Sequence, residues 1–100
     1  MADTLTNLGI AYGKLDDQAK KRDMLERALA IKVWAYGHDH VNVAQTLMNL
    51  GNAYMGLGDY AKQRDVQERA LAITERVYGS AHLHVATALS ALGSTYLVLG

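Results

Sequence analysis

Val43, Leu47, Leu50, Tyr54 and Leu57 step along the chain by four, three, four and three. That spacing lines up one face of an α-helix. Val66, Ala70, Ile73 and Val77 repeat it with steps of four, three and four. Between the two runs stands Gly58, suited to the left-handed residue that ends a helix. Asp59 follows, with a side chain suited to the N-cap of the next one. Gly79 closes the second run, and the stretches around Asp39-His40 and Ala81-His82 open new ones. The pattern predicts an all-α chain of five helices, over residues 3–15, 18–36, 41–57, 60–78 and 83–99.

The pattern is also periodic. Residues 3–44 lie over residues 45–86 without a gap, and more than half of the aligned positions are identical. The densest block is ERALAI, Glu26–Ile31 over Glu68–Ile73. Residues 87–100 begin a third copy that keeps Leu89, Leu92, Gly93, Tyr96 and Leu99. Such self-similarity marks stacked units, none of which buries its apolar face alone. The expected architecture is an α-solenoid of tandem antiparallel helix pairs in one domain, residues 1–100, holding about two and a third repeats. Gly9, Gly51 and Gly93 fall mid-helix, where glycine costs about 1 kcal/mol relative to alanine. Its recurrence predicts a neighbouring helix crossing there, with Tyr12, Tyr54 and Tyr96 as bulky partners one turn on.

Composition narrows the function. The formal net charge is zero, against the clustered positive charge that nucleic acid or anionic lipid needs. The one basic run, Lys20-Lys21-Arg22, is flanked by Asp16, Asp17 and Asp23 and reads as a solvated helix face. There is no cysteine, hence no disulfide, thiolate nucleophile or cysteine-held zinc. No signal-peptide pattern opens the chain. Residues 77–100 lack Asp, Glu, Lys and Arg, but His82, His84 and several Ser and Thr interrupt the apolar run that a membrane span requires. A soluble, cytoplasmic protein is expected.

Candidate chemistry is thin. Gly9-x₃-Gly13-Lys14 is one residue short of a phosphate loop and lacks the following Ser or Thr. No spacing of Ser, His and Asp suggests a triad. Neither an enzyme nor a cofactor is expected. His38-Asp39-His40 and His82-Leu83-His84 occupy equivalent turns, where imidazoles side by side suit a transition metal. The dedicated third and fourth ligands are lacking, so the expectation is no metal, with His40 and His82 starting helices. Trp34 aligns with Arg76 and is read as a surface residue.

The first helix of each unit resembles the tetratricopeptide repeat, whose pattern is W-x₂-L-G-x₂-Y. It stands here as Leu5-x₂-Leu8-Gly9-x₂-Tyr12, Leu47-x₂-Leu50-Gly51-x₂-Tyr54 and Leu89-x₂-Leu92-Gly93-x₂-Tyr96. The family's later alanine is Ala28 and Ala70. The resemblance covers the whole chain. Its 42-residue period exceeds the ordinary 34 and is similar to the longer repeat of kinesin light chains. Lys21 and Gln63 replace the family's small residue in the second helix, Leu25 and Gln67 its aromatic, and proline is absent.

This resemblance implies a protein–protein interaction scaffold, whose first helices line a concave groove for a peptide or partner protein. The matching groove residues are Thr6, Asn7 and Ile10, then Gln45, Met48, Asn49, Asn52 and Met55, then Ser90 and Ser94. Charge gathers instead in the second helices, so the groove is expected to be neutral, with methionines as adaptable contacts. The lysine–asparagine clamp that takes acidic chaperone tails is missing, since its places hold Thr6 and Ile10. In kinesin-light-chain-like repeats an asparagine at the position of Asn7 and Asn49 holds peptide backbone. The alternative is that both bond between neighbouring helices.

Gly100 aligns with Gly58, so the third unit is written only as far as its first helix. Leu83, Leu89, Leu92, Tyr96, Leu97 and Leu99 are expected to leave that helix with an open apolar face. Two compatible readings follow: the sequence is a fragment of a longer array, and this face joins a second copy in a homo-oligomer. The alternative to a peptide-binding scaffold is a structural, self-assembling module with no external ligand.

Overall fold

Asp17 and Asp59 stand one period apart and do the same work. Each side chain accepts a hydrogen bond from the backbone N–H three residues on, that of Lys20 at 3.1 Å and that of Lys62 at 3.3 Å. They cap two of the four helices seen in a computed structural model, which describes Leu5, residues 17–79 and residues 81–99. The helices are α1 (Gln18–Tyr36), α2 (Val41–Gly56), α3 (Tyr60–Tyr78) and α4 (Leu83–Leu99). Of the helix expected over 3–15 only Leu5 is described, as helical and buried; the rest lies outside the described residues.

The observed bounds of α1, α3 and α4 agree with those expected. α2 stops one residue early, because the Leu57 amide is shared between the carbonyls of Ala53 and Tyr54, both at 3.1 Å. The Gly58 backbone then turns left-handed at φ 75°, where a β-carbon would be strained. α2 and α4 start differently from the other pair. The His40 Nδ1 accepts the Asn42 N–H at 3.0 Å, and the His82 Nδ1 accepts the His84 N–H at 3.1 Å. Tyr36 stacks on His40 at 4.6 Å and Tyr78 on His82 at 4.5 Å, holding each imidazole over its helix end.

Short connections fold consecutive helices back on one another, giving an all-α array of helix pairs. Among the described residues each helix packs only on its neighbours in the chain, as in a solenoid. The core runs along α2, where Val43, Leu47 and Leu50 are buried against Leu25 of α1 and Ala70 and Ile73 of α3. A fully buried leucine or valine contributes roughly 1.5–3 kcal/mol. α3 packs over Gly51. A β-carbon there would lie 3.4 Å from Val66 Cγ2 and 3.6 Å from Gln67 Cγ.

Two positions of the apolar pattern fall outside the core. Val77, near the end of α3, and Leu57, just past the end of α2, are exposed. Polar side chains are buried as well, among them Gln63 and Gln67 on α3, Thr46 on α2 and Lys32 on α1. No helix of the described residues is long and apolar enough to cross a membrane.

A cleft between the first helices

Tyr54 and Tyr96, one period apart, tie each first helix to the second helix before it. The Tyr54 hydroxyl donates to Glu26 Oε1 at 2.7 Å, and the Tyr96 hydroxyl donates to Glu68. Burial, then the hydrogen bond to Glu26, pushes the Tyr54 phenol well above its ordinary range. At Tyr96 the hydrogen bond to Glu68 leads, and the direction is the same. Two clefts lie in the space between α2 and α4.

The larger cleft, about 410 Å³, is lined by Gln45, Met48 and Asn49 from α2 and by His84 and Thr87 from α4. Thr74 and Tyr78, at the C-terminal end of α3, complete it. The second, about 200 Å³, is lined by Asn52 and Met55 of α2, Ser94 and Val98 of α4, and Gln63 and Gln67 of α3. Neither lining contains Asp, Glu, Lys or Arg. Three rings crowd one edge of the larger cleft. Tyr78 and His84 lie 4.8 Å apart, and His82 and His84 stack at 5.0 Å.

Of the groove residues expected from sequence, Gln45, Met48 and Asn49 therefore share one cleft, and Asn52, Met55 and Ser94 the other. Ser90 is exposed and lines neither, its carbonyl accepting the Ser94 hydroxyl at 3.2 Å. Thr6, Asn7 and Ile10 lie outside the described residues. Among the described residues the Asn49 carboxamide has no hydrogen-bond partner, so nothing there ties it to a neighbouring helix. Missed by sequence reasoning were Tyr78, Thr74 and His84. Their signal was available in the stacked Tyr-Gly…His turn that recurs after each second helix.

The residues expected on the open face of α4 divide. Leu83, Leu89, Tyr96, Leu97 and Leu99 are exposed in varying degree. Leu92 is buried, contrary to expectation, because it shares the Val85–Ala88–Thr95 side that α4 turns toward α3. Trp34 stands almost free on α1, at 89% exposure. Among the described residues no group of three or more His, Asp or Glu is placed to hold a metal ion.

Two family models match the chain, both described as tetratricopeptide repeat, one over residues 1–42 and one over residues 42–100. The first is the kinesin-light-chain type of repeat. A comparison with curated proteins gives no match.

Proposed function

As a member of the tetratricopeptide-repeat family, whose repeats mediate protein–protein interaction, the chain is, we propose, a non-catalytic scaffold that takes an extended peptide between α2 and α4. The single observation that carries this reading is the lining of the larger cleft. It offers the side-chain amides of Gln45 and Asn49 beside an apolar methionine, and no Asp, Glu, Lys or Arg. Such a surface suits main-chain hydrogen bonding to a peptide, with an apolar side chain anchored on Met48 or Met55. The Asn49 carboxamide carries a donor and an acceptor together, which is what one backbone amide unit presents. Cytoplasmic residence belongs to the same proposal.

Panning a peptide library against the chain tests it. Neutral, apolar-anchored sequences are expected, and Asn49→Ala should weaken them about tenfold without moving the melting temperature. Unchanged affinity in that variant, or selection of strongly acidic peptides only, would overturn the reading.

A second contact is favoured by a different observation. Leu83 and Leu97 of α4 are 76% and 85% exposed, on a flank that carries no charged side chain. We propose that α4 associates with another copy of the chain. A wild type that stays monomeric over a range of concentrations in sedimentation equilibrium would overturn this.

A further inference from the structure

Gln63 and Gln67 stand one turn apart on α3, and both are more than nine-tenths buried, at 5% and 4% exposure. A buried carboxamide ordinarily has hydrogen-bond partners. Gln67 has one, since its oxygen accepts the Thr95 hydroxyl, and its –NH₂ is left over. Gln63 has none among the described residues. Its nitrogen and oxygen are not sealed within the protein, and both glutamines line the smaller cleft, of about 200 Å³. The walls of that cleft are α2, α3 and α4. One period earlier the two glutamines are replaced by Lys21 and Leu25, and Gly56 stands in the place of Val98. There the Gln18 side chain lies against Gly56, whose β-carbon, if it had one, would be 2.7 Å from Gln18 Cγ. The pair of buried amides thus belongs to the second crossing.

From this we infer that the smaller cleft is the specificity subsite of the groove and takes one carboxamide side chain, Asn or Gln, from the bound peptide. The inference rests on the peptide-binding reading proposed above and names a side chain that reading leaves open. The polar inventory selects the group. Gln63 offers two N–H donors and an oxygen acceptor, and Gln67 adds further N–H donors. A carboxamide carries donors and an acceptor of its own, so it pairs with Gln63 amide to amide and accepts from Gln67 as well. A carboxylate or an ammonium group would bring a charge into a lining that has no Asp, Glu, Lys or Arg to balance it. An apolar side chain would leave the Gln63 amide buried without a partner. A single hydroxyl has too few groups to serve both glutamines. Met55 and Val98, in the same lining, suit the methylene stem behind the amide.

Panning a peptide library against the whole chain, wild type and Gln63→Leu, followed by calorimetric titration of the selected peptides, decides the matter. The wild type is expected to enrich Asn or Gln at one position. Replacing that residue by Leu or Glu should weaken binding about tenfold or more. On Gln63→Leu the preference should vanish, so that the Leu peptide binds at least as well as its carboxamide parent. Gln63→Met removes the same amide and serves if the leucine variant does not fold, and the ranking on the wild type needs no variant at all. A wild type that selects no peptide would overturn both the groove reading and this inference. Peptides that depend on Asn49 but show no preference for Asn or Gln would overturn the subsite alone, as would a preference that persists in Gln63→Leu. A Gln63→Leu variant that melts higher and binds every peptide as the wild type does would show the cleft to hold only water. That result would also overturn the subsite.

Discussion

Thr95 of α4 and Gln67 of α3 meet in a buried hydrogen bond, hydroxyl to carboxamide oxygen, at 2.5 Å. One period earlier the same two positions hold Leu25 and Ala53, both fully buried. The first inter-repeat contact is therefore apolar where the second is polar. Removing one partner leaves the other buried without a mate, which costs about 1–3 kcal/mol. Thr95→Val is expected to lose that much in urea unfolding. The double variant Gln67→Leu with Thr95→Ala, which copies the apolar pair, should be near neutral or more stable. A double variant no better than Thr95→Val would show the polar pair to be irreplaceable here.

Gly51 tests the close crossing of α2 and α3. Alanine just fits, its β-carbon reaching ordinary contact with Val66 at 3.4 Å. Leucine has no room, and overpacking of this kind costs typically about 1–3 kcal/mol. Gly51→Leu should therefore melt well below the wild type and Gly51→Ala close to it. Equal melting points for wild type and Gly51→Leu would remove the packing argument for the repeated glycine.

The bond from Tyr54 to Glu26 has a signature at alkaline pH. The Tyr54 ring is buried while its hydroxyl reaches out to an exposed carboxylate. Its phenol pKa is raised in the folded chain, by burial first and by Glu26 second. An unfolded phenol releases its proton near pH 10. The contribution of Tyr54 is thus complete below about pH 10 and falls as pH rises through the folded value. In Tyr54→Phe that fall is absent. The stability gap between wild type and Tyr54→Phe, read by urea unfolding, should narrow from about pH 9 to about pH 11. A gap constant over that range would contradict the assignment.

His40 caps α2 with an imidazole nitrogen, a place more often held by Ser, Thr, Asp or Asn. His40→Ala should destabilise by about 1 kcal/mol and His40→Asn by much less, since asparagine supplies an acceptor of its own. The loss should be larger than for His38→Ala, because His38 is exposed in the turn and caps nothing. Circular dichroism melts of the three variants rank them.

Helix limits were legible because Gly58, Asp59 and Gly79 are punctuation that acts locally, through one backbone angle or one side-chain acceptor. The crossing at Gly51 was legible because a mid-helix glycine is costly without a close neighbour; the same expectation at Gly93 is not met, since no described residue lies within 4 Å of a β-carbon there. The burial of Gln63 and Gln67 was not, since a polar residue enters a core only where a partner awaits it. For Gln67 that partner is Thr95, 28 residues away. Leu92 was misplaced for a related reason. The helical period shows which residues share a side, and only the neighbour shows which side is covered. Of the cleft, the α2 wall followed from the repeat. The Tyr78 and His84 edge required the turn to be seen folded.

An array whose helices lean only on the helix before and the helix after has no seam to close. A period can be added or deleted without remaking any distant contact, and the bend between successive pairs is set at single crossings such as Gly51. The width of the opening between α2 and α4 is thus adjustable one residue at a time. A lineage of such chains can change the girth of what it grips while leaving the rest of the molecule as it was.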